Sequence, residues 1–180
     1  MSLAVIRRLR ATTCGSAAAE MALVMPLLLV LVFACIEVGN YFLNEHVLLK
    51  GVRDGARFAA RQSFTHYDGC GSAASNVPVT LSDDTKLIVR KGSLDSSDAD
   101  LLPNWDAGSA QFTVQMTCST TAGTTTLGGI YTGSLVGTAN AAPVVIVTAK
   151  LPYRPVVPGF GFSGAGKFLN ASQQAAVMGI

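Results

Sequence analysis

The chain has 180 residues, room for one domain with an appendage. Apolar residues make up 49% and charged residues only 13%, about half the usual share, and the net charge is +2. This balance excludes global disorder, and it argues against a nucleic-acid partner because Arg7, Arg8 and Arg10 supply more than the whole basic excess.

The apolar content is concentrated near the start. From Met21 to Ile36 the chain reads MALVMPLLLVLVFACI, sixteen residues without a charge and with Pro26 as the sole breaker. A helix from Met21 to Leu43 would be about 35 Å long, enough to cross a hydrocarbon core of about 30 Å. The part up to Ile36 alone gives about 24 Å, so Glu37 is expected at the far interface. Three arginines precede the run. By the positive-inside rule the N-terminus is cytoplasmic and the residues after Leu43 are exported.

Four readings of this segment compete. A basic start and an apolar run fit a cleaved secretory signal, although no A-x-A site follows Ile36. Val32-Phe33-Ala34-Cys35 is a poor lipoprotein signal, because Phe33 is bulky. A plain anchor is the simplest reading. The fourth explains more residues: Gly15 is followed by Ser16-Ala17-Ala18-Ala19 and then Glu20, directly before the apolar run. A carboxylate in mid-membrane costs on the order of 3 kcal/mol, and less near the edge. An α-amino group on Ser16 of a neighbouring subunit would be a natural partner for Glu20.

The basic leader, Gly15 and Glu20 resemble a class of prepilin peptidase substrates. That implies cleavage after Gly15, a mature N-terminus at Ser16, and subunit docking through Ser16 and Glu20. Residues from Cys14 to Pro26, then Cys35-Ile36-Glu37-Val38-Gly39 and the segment Val52-Arg53-Asp54-Gly55-Ala56-Arg57-Phe58-Ala59-Ala60, look like the TadE-like family. Its members are minor pseudopilins of tight-adherence (Flp, type IV-related) pilus machines. The resemblance covers about a third of the chain. It implies a pilin-like molecule in the inner membrane with a periplasmic domain. The implied partners are inner-membrane lipid, the prepilin peptidase, other minor pseudopilins, the pilin and the assembly platform. The implied role is initiating, capping or regulating a filament. The related TadG proteins carry a von Willebrand-type domain, for which this chain has neither the room nor the motif.

From Asn44 to Gln62 the helix is expected to continue. Leu48, Val52, Ala56 and Ala59 form one apolar stripe, and Lys50, Arg53, Asp54, Arg57 and Arg61 occupy other faces. Lys50 and Asp54 are spaced for a weak pair. Gly51 and Gly55 beside Ala59 suit a close helix or sheet contact.

Beyond Gln62, Gly, Ser, Thr, Asn and Pro dominate. Strands are predicted over Lys86–Lys91, Ala110–Ser119 and Val144–Leu151, the last stopped by Pro152-Tyr153-Arg154-Pro155. Lys167 to Met178 fits a strand or a short helix. Residues 120–142 look like a loop. In residues 155–166 the apolar Val156, Val157, Phe160 and Phe162 stand among glycines, either dipping toward the membrane, docking a partner, or packing under a loop. The expected class is α+β: a long N-terminal transmembrane helix continuing into a small exported antiparallel β-sheet domain. The expected segments are a leader over 1–15, a helix over 16–62 and a β-rich domain over 63–180.

Cysteine usage suits export. Cys70 and Cys118 are the pair expected to form a disulfide, worth about 4 kcal/mol in the chain-entropy model. Other chemistry is sparse. His46 and His66 begin no H-E-x-x-H, and no C-x-x-C, phosphate loop or nucleophile elbow occurs, so neither a cofactor nor an enzyme is indicated. Asp95, Asp98 and Asp100 are weak calcium candidates without EF-hand spacing; a solvated loop is the preferred reading. The reading favours a structural pilus component. The competing class is a membrane-anchored or lipidated adhesin or binding module. Loss of residues 1–15 would take thirteen basic residues to ten, against eleven acidic. The basic excess is thus an orientation signal that a processed chain would discard.

Overall fold

The computed structural model describes residues 14–67, 77–119, 121–122, 125–126, 142–158 and 164–179. The class is α+β. Helix α1 (Cys14–Ala60) is followed by a 3-10 turn (Phe64–Tyr67) and helix α2 (Val79–Lys91). Strands β1 (Gln111–Ser119), β2 (Thr121–Ala122), β3 (Thr125–Thr126), β4 (Ala142–Pro152) and β5 (Phe168–Ala176) complete the order. Two compact units divide the chain. One holds residues up to Asn40 together with Pro155–Ser163; the other holds Tyr41–Arg154 and Gly164–Ile180.

In the first unit, α1 exposes Met21, Leu23, Leu27, Leu31 and Ile36, apolar side chains on every face. The helix is long and apolar enough to cross a membrane. Pro26 lies inside it and lacks the N–H that would bond the Ala22 carbonyl. Membrane helices tolerate such a break.

In the second unit, the expected stripe is the core face of α1. Leu48, Val52, Ala56 and Ala59 are all buried, while Lys50, Arg53, Arg57 and Arg61 are exposed. Asp54 lies 3.9 Å from Arg57 rather than pairing with Lys50. The last carbonyls of a helix have no intrahelical partner. Here Gln62 N–H bonds Ala59 O, Tyr67 Oη donates to the same carbonyl at 2.5 Å, and Met178 N–H reaches Ala60 O at 2.9 Å. Tyr67 is fully buried, and burial pushes its phenol well above the usual tyrosine range.

The strand predicted over Lys86–Lys91 is instead the end of α2. Ile88 and Val89 gave it a β-like look, but Leu81, Thr85 and Val89 recur every four residues and are its buried face. Pro78 precedes the helix, Arg90 and Lys91 fill its last turn, and Gly92 closes it at φ +79°, donating its N–H to Ile88 O. Gly51 and Gly55 of α1 admit this helix. A Cβ at Gly51 would stand 2.7 Å from Val89 O, and one at Gly55 2.4 Å from Val89 Cγ2.

The main sheet is antiparallel with order β1-β4-β5. Strands form over the two stretches predicted as strands beyond residue 109, and Lys167–Met178 resolves to a strand. Most of residues 120–142 lie outside the described residues; Thr121 and Ala122 pair with Thr126 and Thr125. Register puts Val114 opposite Val147, Met116 opposite Val145, and Leu151 opposite Leu169, all on the buried face. Thr113, Thr148 and Ser172 line up on the other face, where Thr148 and Ser172 share a 3.0 Å hydrogen bond. The buried face, α2 and the α1 stripe form one core with Leu102 and Trp105.

Replacing Gly51 or Gly55 by Ala gains up to about 1 kcal/mol of helix propensity but overpacks at a cost of about 1–3 kcal/mol, so both variants should unfold at lower temperature. Val89→Ala should relieve Gly55→Ala, which meets a side chain. It should not relieve Gly51→Ala, which meets backbone. Thermal unfolding of the four variants checks this.

Candidate functional site

Two carboxylates mark the ends of the apolar stretch of α1. At the first end, Gly15, Ser16 and Glu20 are exposed, and the Gly15–Ser16 bond lies in the first helical turn. The amides of that turn have no intrahelical acceptor. Ser16 Oγ donates to Glu20 Oε1 at 3.3 Å, one turn away. The two residues expected to meet across subunits therefore touch within one chain. A Cβ added at Gly15 would meet nothing within 4 Å. Its small size answers no packing need among the described residues.

At the second end, Glu37 is 5% exposed while its neighbours Ile36 and Val38 are exposed. Glu37 Oε2 accepts the backbone N–H groups of Val156 and Val157 at 3.1 and 3.2 Å. Position along the helix was legible in the sequence; the pairing with residues some 120 positions away was not. The signal that could have suggested it is a lone acid in an apolar helix together with PVVP, a loop with two amides to satisfy. Val156 is 57% exposed, and Phe160 and Phe162 lie outside the described residues.

Both carboxylates, though not the PVVP loop, fall in one stretch of known type. Residues 15–57 match the family model described as TadE-like protein. The TadE-like segment takes in Gly15, Glu20, Pro26, Glu37, Gly39, Gly51, Gly55 and Arg57. It ends before α2, so the sheet lies outside it. No curated protein and no solved structure matches the chain.

Outside the TadE-like segment, the three weak calcium candidates do not form a cage. Arg90 Nε donates to Asp100 Oδ1 at 2.5 Å, and Lys91 Nζ lies 3.3 Å from the same oxygen. Arg90 also grips Asp106 through both terminal nitrogens, at 2.8 and 2.9 Å. Asp98 takes the Ser93 hydroxyl on its carboxylate and Lys91 on its carbonyl. Asp95 accepts the amide and hydroxyl of Ser97. Among the described residues, no group of three or more His, Cys, Asp or Glu could hold a metal ion. What the sequence presented as a solvated loop is stapled to the last turn of α2, with Leu101 N–H on Arg90 O. Cys118 is half-buried against the core from β1, and Cys70 lies outside the described residues, as does the pairing expected between them.

The Arg90 guanidinium holds the Asp100 carboxyl below its ordinary value of 3.8, and both carboxylates hold Arg90 above its own. A depressed carboxyl pKa stabilises the fold above the unfolded value, and that contribution is lost as pH falls through the folded value. Asp100→Asn should therefore cost about 1 kcal/mol near neutral pH, a figure that allows for solvent screening, and the deficit should begin to shrink below about pH 4 and close as pH falls through the depressed folded value. Denaturant unfolding at pH 7 and pH 3 checks both the sign and the window.

Proposed function

We propose that this chain is a minor pseudopilin that initiates, caps or regulates a tight-adherence pilus. The TadE-like match supports involvement in tight-adherence pilus systems, and the one helix among the described residues that is long and apolar enough to cross a membrane supports anchoring. The observation that carries the finer reading is Glu20, five residues after Gly15 at the head of an exposed apolar helix. The chain sits in the inner membrane with its start in the cytoplasm and its sheet domain in the periplasm. A prepilin peptidase cuts after Gly15. Glu20 then exchanges its Ser16 hydroxyl contact for the new α-amino group of a neighbouring pseudopilin or pilin on the assembly platform. A hydrogen bond to a charged donor is worth more than one to a hydroxyl, so the exchange favours assembly.

Glu20→Ala should abolish piliation while leaving the protein in the membrane fraction. Normal piliation in that variant would sink the proposal. Mass spectrometry of the membrane protein should give a mature N-terminus at Ser16. A lipidated Cys35 would point to the adhesin-type lipoprotein, and an intact Met1 to a plain anchor.

We also propose a Cys70–Cys118 disulfide in the sheet domain. It is supported by the export proposed for the sheet domain and by the half-buried place of Cys118 beside the core. Non-reducing peptide mapping should recover the linked pair, and reduction should lower stability by about 4 kcal/mol.

A further inference from the structure

The segment Pro155–Pro158 reads PVVP. Proline has no amide proton, so Pro155 and Pro158 present no backbone donor. The two remaining donors, Val156 N–H and Val157 N–H, both go to Glu37 Oε2. No N–H in this stretch is left for water to satisfy. An irregular segment needs that economy where water does not reach its backbone. Val156 is nevertheless 57% exposed and Pro158 is exposed, so the stretch offers an apolar surface with no donor to hydrate.

Depth along the helix supplies the second observation. A hydrocarbon layer of about 30 Å takes about 20 helical residues. The uncharged run from Met21 to Ile36 provides sixteen, about 24 Å. The layer therefore extends past Ile36, and Val38 beyond it is 52% exposed. Glu37 falls inside the margin of the hydrocarbon, where a carboxylate without donors is costly. Two amides meet that need and hold Val156 within hydrogen-bond reach of the same depth.

We propose that the Pro155–Pro158 loop, clamped by Glu37, is a second membrane contact that seats Val156 in the acyl–headgroup boundary at the Glu37 end of the helix. This rests on the reading that α1 spans the bilayer. Its partner is lipid, and the clamp makes the loop compatible with lipid by withdrawing its last polar hydrogens. Glu37 is a positioning residue here, acting through the loop.

The test uses the full chain in phosphatidylethanolamine–phosphatidylglycerol vesicles that carry lipid brominated either near the headgroup or deep in the acyl chain. Val156→Trp reports on the loop and Leu28→Trp on the helix, each read above the Trp105 background of the unsubstituted chain. The Val156→Trp emission should shift to the blue and lose intensity with the shallow quencher. Adding Glu37→Ala should abolish that loss, and adding Glu37→Gln, which keeps an acceptor oxygen, should retain it. Leu28→Trp should be quenched by the deep label in all backgrounds. An unquenched Val156→Trp beside a quenched Leu28→Trp overturns the loop contact and leaves the membrane reading standing. An unquenched Leu28→Trp overturns both. Quenching untouched by Glu37→Ala overturns the clamp, and protection that grows with protein-to-lipid ratio replaces lipid with a second copy of this chain.

Discussion

Backbone amides and carboxylates lose their hydration wherever hydrocarbon surrounds them, and that constraint organises α1. Between Met21 and Ile36 the helix satisfies its own backbone except at the Ala22 carbonyl opposite Pro26, and the exposed apolar side chains suit a hydrocarbon surrounding. Polar chemistry is pushed to the two ends of the run. Glu20 is met by a hydroxyl one turn away, Glu37 by two amides from a distant loop. The difference between the two is informative. The first carboxylate has an exposed, weakly held partner that can be exchanged, whereas the second is buried and doubly bonded. One suits an encounter with another molecule, the other a fixed position.

The same helix serves a different solvent after Asn40. Its apolar residues contract from a full circumference to the stripe of Leu48, Val52, Ala56 and Ala59, and glycines at 51 and 55 let α2 approach to backbone contact. Tyr41 begins this second regime, donating from its hydroxyl to Phe168 O and meeting the Tyr153 ring edge-on at 5.2 Å. A single continuous helix thus reads as two sequence patterns, because burial on one face leaves a period and immersion in lipid does not.

That explains what was legible. The apolar run, the stripe and the alternation of Val114 and Met116 are local periodic signals, and the structure follows them. Lys86–Lys91 misled because six residues with Ile88 and Val89 at the centre fit a strand as well as a helix. The deciding evidence lay upstream, in Leu81 and Thr85, and downstream, in Gly92. The Glu37 clamp and the Arg90 staple were invisible for another reason. Each joins residues by charge and hydrogen bonding across the chain, and one sequence carries no periodicity for such pairings. Gly15 and Glu20 were singled out by their spacing together with the family resemblance, since neither takes part in packing.

The closing of the α1 terminus has a kinetic side. Its final carbonyls are met by the Tyr67 hydroxyl and by the amide of Met178, and Val177 N–H bonds Pro143 O beside it. The last turn of the helix is thus completed by a residue made more than a hundred positions later. Pairings of such sequence separation are slow to form. Until residue 178 has left the ribosome, the helix end, the final strand and the core behind them cannot lock together. A chain still being made therefore carries an unfinished domain, which stays threadable until its last strand is out.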